Sequence, residues 1–360
     1  MRQRVPCRLA AYIRLLPLFL AIFLSCGQAA EQDRFRIAWS IYVGWIPWGY
    51  GDQSGIVDKW AKKYGIDIEV VQINDYIESI NQYTAGAFDG CVMTNMDALT
   101  IPAASGVDST ALIVGDFSNG NDGIVLKGSA KQLKDIEGQR VNLVELSVSH
   151  YLLTRALESV GLSERDVTVV NTSDSDLVSV FATPDVTAAV TWNPLLSAIN
   201  AMPNTSQVFD SSNIPGEIID LLVVNTETLK QNPKLGKALA GAWYEIMATM
   251  SANNAEGKQA LTWMAEASGT DLAGYRSQLD STRMFYKAQD AVDFTRSKQL
   301  ITTMEKVAAF SFKHGLLGQG AQSADFIGMA FPGDEVLGKT RNIKLRFDDR
   351  FMQMAAEGAL

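Results

Sequence analysis

Short strand-like runs alternate with helical runs from residue 34 to residue 225, and this alternation restricts the fold more than any other feature of the chain. FRIAWSI (35–41) reads as a buried strand. SGIVDKWAKKYG (54–65) opens on a capping serine, keeps helical spacing and ends on a glycine, which predicts a helix. IDIEVVQI (66–73) is β-branched and alternating, the pattern of a strand. YIESINQYTAG predicts a helix ending at Gly86, FDGCVMT a strand, MDALTIPAAS the start of a helix and STALIVGDF a further strand. The order βαβαβ predicts a parallel sheet with helical crossovers.

A second cycle follows. GIVLKG predicts a strand, and KQLKDIEGQRVNLV a short helix running into another. SHYLLTRALESVGL places Leu152, Leu153, Ala156, Leu157 and Val160 at helical spacing. DVTVVNT, VTAAVTW and IIDLLVVN then read as strands, with helices at DSDLVSVFA and NPLLSAINAM between them. The chain therefore reads as two α/β units joined by two crossings, near 119–124 and near 224–228. One unit comprises residues 34–120 plus 226–360, the other 121–225. From Thr228 the chain is mainly helical, with apolar faces that must cover a sheet, most simply the first. The tail NIKLRFDDRFMQMAAEGAL is expected to add a strand and a last helix.

Residues 1–30 read as an export signal. Arg2, Arg4, Arg8 and Arg14 precede the apolar run LLPLFLAIFL, and small residues follow it. The run is too short to span a bilayer, which takes about 20 apolar residues. Cleavage after Ala29 or Ala30 is the simple expectation, with Cys26 as an alternative point of lipid attachment, and the mature protein is placed in the periplasm. Beyond residue 30 the chain carries 27 Lys and Arg against 40 Asp and Glu. That balance argues against nucleic acid and anionic membranes as partners, since both need a basic face. Cys7 and Cys26 lie in the signal and leave Cys91 alone, which excludes a disulfide framework and a zinc-type cysteine cluster. With only His150 and His314 besides, a metal site, a cofactor site or a Ser-His-Asp enzyme has little to draw on.

In open α/β sheets, ligands bind beyond the carboxyl ends of the strands. YVGWIPWGYG, with Pro47 and its glycines, reads as an irregular turn at the end of the first strand, and the strand-end positions hold Ser40, Tyr42, Trp45 and Trp48, then Asn74, Asp75 and Tyr76, then Asn95 and Asp97. Asp122 lies between the units. Glu145, Ser147, Ser149 and His150 follow one strand, Trp192 and Asn193 another, and Glu217 and Asp220 stand at the last. The collection is rich in rings and carboxylates and almost without Lys or Arg. An anion site normally recruits Arg for paired hydrogen bonds. Ring faces attract a cation at about 0.5–2 kcal/mol each, and carboxylates accept its N–H groups. Ordinary roles stand beside this reading: tryptophans as core, Asn95, Asp97 and Ser147 at helix starts, Asp122 in a turn, His150 as packing, Trp192 at a domain edge, Glu145 and Glu217 in solvent.

The stretches YTAGAFDGCVMTNMDAL, SVSHYLLTRALESVGL, DVTVV and AAVTWNPLL resemble periplasmic substrate-binding proteins of ABC transporters, in the taurine, aliphatic-sulfonate and nitrate branch. WSIYVGWIPWGY, VVQINDYIESINQYTAGAFDGCVMTNMDALTIPA and LIVGDFSNGND are similar, more narrowly, to binding proteins encoded beside urea carboxylase-type enzymes, a group associated with guanidine degradation. The resemblance implies a bilobal type II periplasmic-binding-protein fold whose lobes hinge shut on a small ligand, and a membrane permease that receives it. The chain itself is expected as a monomer without enzyme activity. Where sulfonate binders hold an anion, this chain has Asp97, Asp122, Glu145 and Glu217, which favours guanidinium, with urea second and taurine, sulfonate or nitrate as alternatives. Tyr42, Trp45, Trp48 and Trp192 would form the aromatic wall, and one or two of the acids would contact the ligand, completed by Asn95 and Ser147. Trp39 is left to packing. A thiamin-precursor-type enzyme shares the fold and is a remote alternative, disfavoured by the scarcity of His and Cys.

Overall fold

The computed structural model describes residues 33–360. The expected export signal and Cys26 lie outside the described residues. The strands are β1 (Arg34–Trp39), β2 (Asp67–Gln72), β3 (Gly90–Thr94), β4 (Ser109–Ser118), β5 (Asp122–Lys127), β6 (Arg140–Leu143) and β7 (Thr168–Asn171). They continue as β8 (Ala188–Trp192), β9 (Thr205–Asp210), β10 (Ile219–Asn225), β11 (Thr282–Met284), β12 (Gly328–Phe331), β13 (Glu335–Leu337) and β14 (Ile343–Phe347). Two sheets result. The larger runs β13-β12-β14-β4-β10-β3-β1-β2, with β11 on β4, and the smaller runs β7-β6-β8-β5-β9.

β1 pairs in parallel with β2 and β3, as the βαβαβ reading requires. The expectation of a parallel sheet fails at β10, which lies antiparallel between β3 and β4. The cause is connectivity. β4 leads out towards the smaller sheet and β10 leads back from it, with Phe117 and Ile219 paired at the shared end, so the two strands must run opposite ways. The return crossing therefore precedes Ile219, and residues 219–225 sit in the larger sheet, not in the second unit.

A second correction concerns YVGWIPWGYG, expected as an irregular turn. Ile46–Gln53 is a helix, with Pro47 in its first turn, where a missing N–H costs nothing. The next helix, Ile56–Tyr64, ends at Gly65 with φ 68°, the left-handed cap that glycine supplies without strain. The long helix Pro233–Ser251 buries Leu235, Leu239, Trp243, Ile246 and Met250. A Cβ on Gly115 of β4 would come within 3.1 Å of Trp243, so this glycine lets the indole lie against the sheet. The tail forms β14 and the helix Arg350–Ala356. Within the described residues no helix is long and apolar enough to cross a membrane.

Candidate functional site

The pocket begins where β1 ends. The segment after Trp39 folds back on itself, with Trp45 N and Ile46 N both donating to Tyr42 O (2.9 and 3.0 Å) before the helix Ile46–Gln53 starts. This turn holds the rings of Tyr42 and Trp45 over the ends of β3 and β10. The smaller sheet closes the other side: Trp192, the last residue of β8, donates from Nε1 to Ile41 O at 3.1 Å. Val43 N reaches Asn193 O at 3.3 Å. Tyr76, at the start of the helix Tyr76–Thr84, completes the wall. Centroid separations are 4.9 Å for Tyr42–Trp45, 5.4 Å for Trp45–Tyr76 and 5.6 Å for Tyr76–Trp192. Thr94, Val148 and Ile218 fill the gaps between the rings, and Asp122 and Asp220 supply the charge. Little space is left between these side chains, about 10 Å³, so a ligand larger than a water enters only as the walls part.

No Lys, Arg or His lines this pocket. Behind its lining, Asp116 of β4 stands opposite Asp220 of β10 in strand register, and Tyr42 Oη donates to Asp116 Oδ1 at 2.9 Å. Burial pushes the Asp116 carboxyl up to about 7, against hydrogen bonds from Asp220 and Tyr42. Burial likewise raises Asp122 to about 7, opposed by Ser118 and reinforced by the charges of Asp116 and Asp97. Asp220 is raised well above the usual carboxylate range, by burial first and by Asp116 next. Oδ2 of Asp116 and of Asp220, and Nε1 of Trp45, are buried and accept or donate no hydrogen bond to another residue.

Of the residues expected from the sequence, Tyr42, Trp45, Asp122 and Trp192 meet in the pocket. Trp48 does not: it is 1% exposed and stacks on Trp243 at 5.1 Å, because the segment is helical and turns this ring into the core. Asp97 stands behind the wall, its Oδ2 accepting from Tyr76 Oη (2.7 Å) and Thr94 Oγ1 (2.9 Å), so it fixes two lining residues. Burial raises its carboxyl to about 6. Asn95 is a tether, its Oδ1 accepting from Ile219 N and its Nδ2 donating to Glu217 O. Ser147 caps the helix Val148–Ser159. Glu145 is exposed.

Glu217 is buried yet satisfied. Its carboxylate takes Tyr151 Oη (2.7 Å), Arg155 Nε (2.9 Å) and Lys306 Nζ, so it offers a ligand nothing. Nearby, His150 Nδ1 accepts from Leu146 N at 3.1 Å, which places the ring proton on Nε2, where it meets Glu164 Oε1 at 2.8 Å. His314 approaches the same carboxylate at 3.2 Å. These three offer atoms within 4.8 Å of one another, but His150 keeps no free lone pair for a metal.

Tyr76 and Asp220 stood among the strand-end residues and belong to the lining, while Thr94, Val148, Ile218 and the supporting Asp116 were missed. Asp116 lies within the apolar run STALIVGDF, and only the β4–β10 pairing reveals its partner.

A family model described as NMT1/THI5 like matches residues 54–256, more than half of the 360-residue chain. The taurine-binding periplasmic protein of Escherichia coli (strain K12) is 24% identical over 146 residues, 39% of this chain and 45% of that protein, so less than half of the relative is spanned. A binding protein of Brucella abortus (strain 2308) is 25% identical over 247 residues, 66% of this chain and 74% of that protein. Among solved structures, the alkanesulfonate-binding protein of Xanthomonas axonopodis pv. citri, bound to MOPS, matches with a TM-score of 0.66 at 18% identity, covering 82% of this chain and 98% of that one. At that identity the likeness carries the fold, which is the expected bilobal periplasmic-binding-protein architecture.

Proposed function

The chain belongs to the NMT1/THI5-like family, and from that premise we propose that it is a solute-binding protein of an ABC importer whose ligand is guanidinium. The observation that carries the ligand assignment is the pocket's charge: Asp122 and Asp220, backed by Asp116, are buried among four aromatic rings with no basic side chain in the lining. Isolated buried charges cost several kcal/mol each, so acids in such a place either keep protons or await a cation. Guanidinium is planar, carries N–H donors around its edge and is weakly hydrated, as the Arg side chain is. It matches carboxylates at its edge and rings at its faces.

Two of the proteins named above bind taurine or an alkanesulfonate, and an anion would meet Asp122 and Asp220 in this pocket. The lobes would close on the ligand and present it to a membrane permease, with residues 34–120 and 219–360 in one lobe and 121–218 in the other. Binding without chemistry suits the lining, which holds neither His nor Cys. Urea is a second reading that one observation favours: Trp45 Nε1 is a buried donor without a partner, and urea has a carbonyl to accept from it where guanidinium has none.

The test is a thermal-shift panel at about pH 8 with guanidinium chloride, urea, taurine and nitrate, since a ligand of the folded form alone raises the melting temperature. Guanidinium is expected to give the largest shift, and Asp220→Asn to abolish it. A shift with taurine or nitrate and none with guanidinium refutes the assignment.

A further inference from the structure

The pocket holds more acid than one monovalent cation balances. Asp116 and Asp220 are cross-strand partners on β4 and β10, 0% and 3% exposed, and Asp122 is as buried as Asp220. The groups that act on the pair from the packed elements are themselves acids or phenols. They are Tyr42 from the turn after β1, Asp122 from β5, Tyr275 from the helix Leu272–Asp280, and Tyr286 beyond β11. Asp97 acts in turn on Asp122. Two adjacent buried carboxyls do not both ionise without a counter-charge, and sharing a proton satisfies the oxygens that otherwise have no partner.

Resting on the cation reading above, we propose that the site binds by exchange, one guanidinium entering as one proton leaves the Asp116–Asp220 pair. The O–H bond of the protonated carboxyl breaks, its proton passes to solvent or buffer base, and the carboxylate left behind accepts N–H groups of the ligand. No bond to the ligand forms and the charge of the pocket is unchanged. Asp116 then determines specificity without lining the pocket, because it sets the charge of Asp220, which does. A neutral ligand such as urea has no charge to exchange and releases no proton.

The sign follows from linkage. Asp116 is held near 7 by burial, and an incoming cation favours its ionised form. Below about pH 7 the ligand must displace a proton, so affinity falls on acidification, by at most about tenfold per pH unit for one proton. Above that range the pair still holds its shared proton, because Asp220 is raised further, so the release persists there.

The experiment is calorimetric titration with guanidinium chloride at about pH 8, where Asp122 is already ionised, in two buffers of different ionisation enthalpy, repeated from about pH 5 to 8. About one proton released per ligand is expected at that pH, with affinity rising with pH across the whole range. Asp116→Asn, which leaves the lining intact, should release less than half as much and flatten the pH profile. Should that variant not fold, the two-buffer comparison on the unaltered protein decides alone. Binding of guanidinium with no net proton release and equal affinity across the range overturns the exchange. Equal proton release on binding urea overturns it too. Absence of guanidinium binding at every pH overturns the cation reading itself, and the exchange with it.

Discussion

Trp45 and Trp48 flank the start of one helix and face different surroundings. Trp45 precedes its first residue and lines the pocket between Tyr42 and Tyr76. Trp48 lies inside it and stacks on Trp243. Their replacement should separate binding from stability. Trp45→Leu is expected to weaken guanidinium binding more than tenfold with a small loss of stability. Trp48→Leu should cost about 2–4 kcal/mol, through the cavity left beside Trp243, and leave affinity unchanged. Chemical denaturation and calorimetry on both variants check this, and equal loss of affinity in the two would contradict it. The sequence showed that aromatic residues concentrate here, but not which ring faces the ligand. Proline and glycines suggested a turn, whereas Pro47 occupies the one part of a helix that tolerates it. Asp122 was legible from its place at a crossing. Asp116 was hidden because period-two patterning does not say which strand lies opposite.

The elements that bring the two sheets together are β4, β10 and the helices Val148–Ser159 and Lys298–Lys313. Glu217 precedes β10 and ties these helices to each other through Tyr151, Arg155 and Lys306. Burial alone would raise its carboxyl, but the hydrogen bonds from Arg155, Lys306 and Tyr151 outweigh it and hold it below the usual range. A lowered carboxyl contributes stability above its unfolded-state value and loses it only as pH falls through the folded value, so this tie persists through mildly acidic pH. Glu217→Gln leaves Arg155 and Lys306 without their counter-charge. Because both cations are partly exposed, a loss of about 1–2 kcal/mol in denaturant midpoint measurements is expected, with the ranking of ligands unchanged. An unaltered midpoint, or a changed ranking, would contradict this role. The alternation of strand and helix made β1 to β8 legible, since each carries its own periodicity, while β9 was missed. The antiparallel course of β10 was not, because direction in a sheet depends on where a strand re-enters it.

At the scale of the whole molecule, two sheets close on a small, acidic space, and rings from both supply its walls. The larger sheet and its helical cover position Tyr42, Trp45, Tyr76 and Asp220, while the smaller sheet brings Asp122 and Trp192. The central claim is that this space holds a planar cation. A crystal structure of the protein grown with guanidinium chloride tests it most directly. A planar ligand is expected among Trp45, Tyr76 and Trp192, with nitrogens about 2.7–3.0 Å from carboxylate oxygens of Asp122 and Asp220. A pocket left without guanidinium at saturating concentration, or a ligand seated away from both carboxylates, would contradict it.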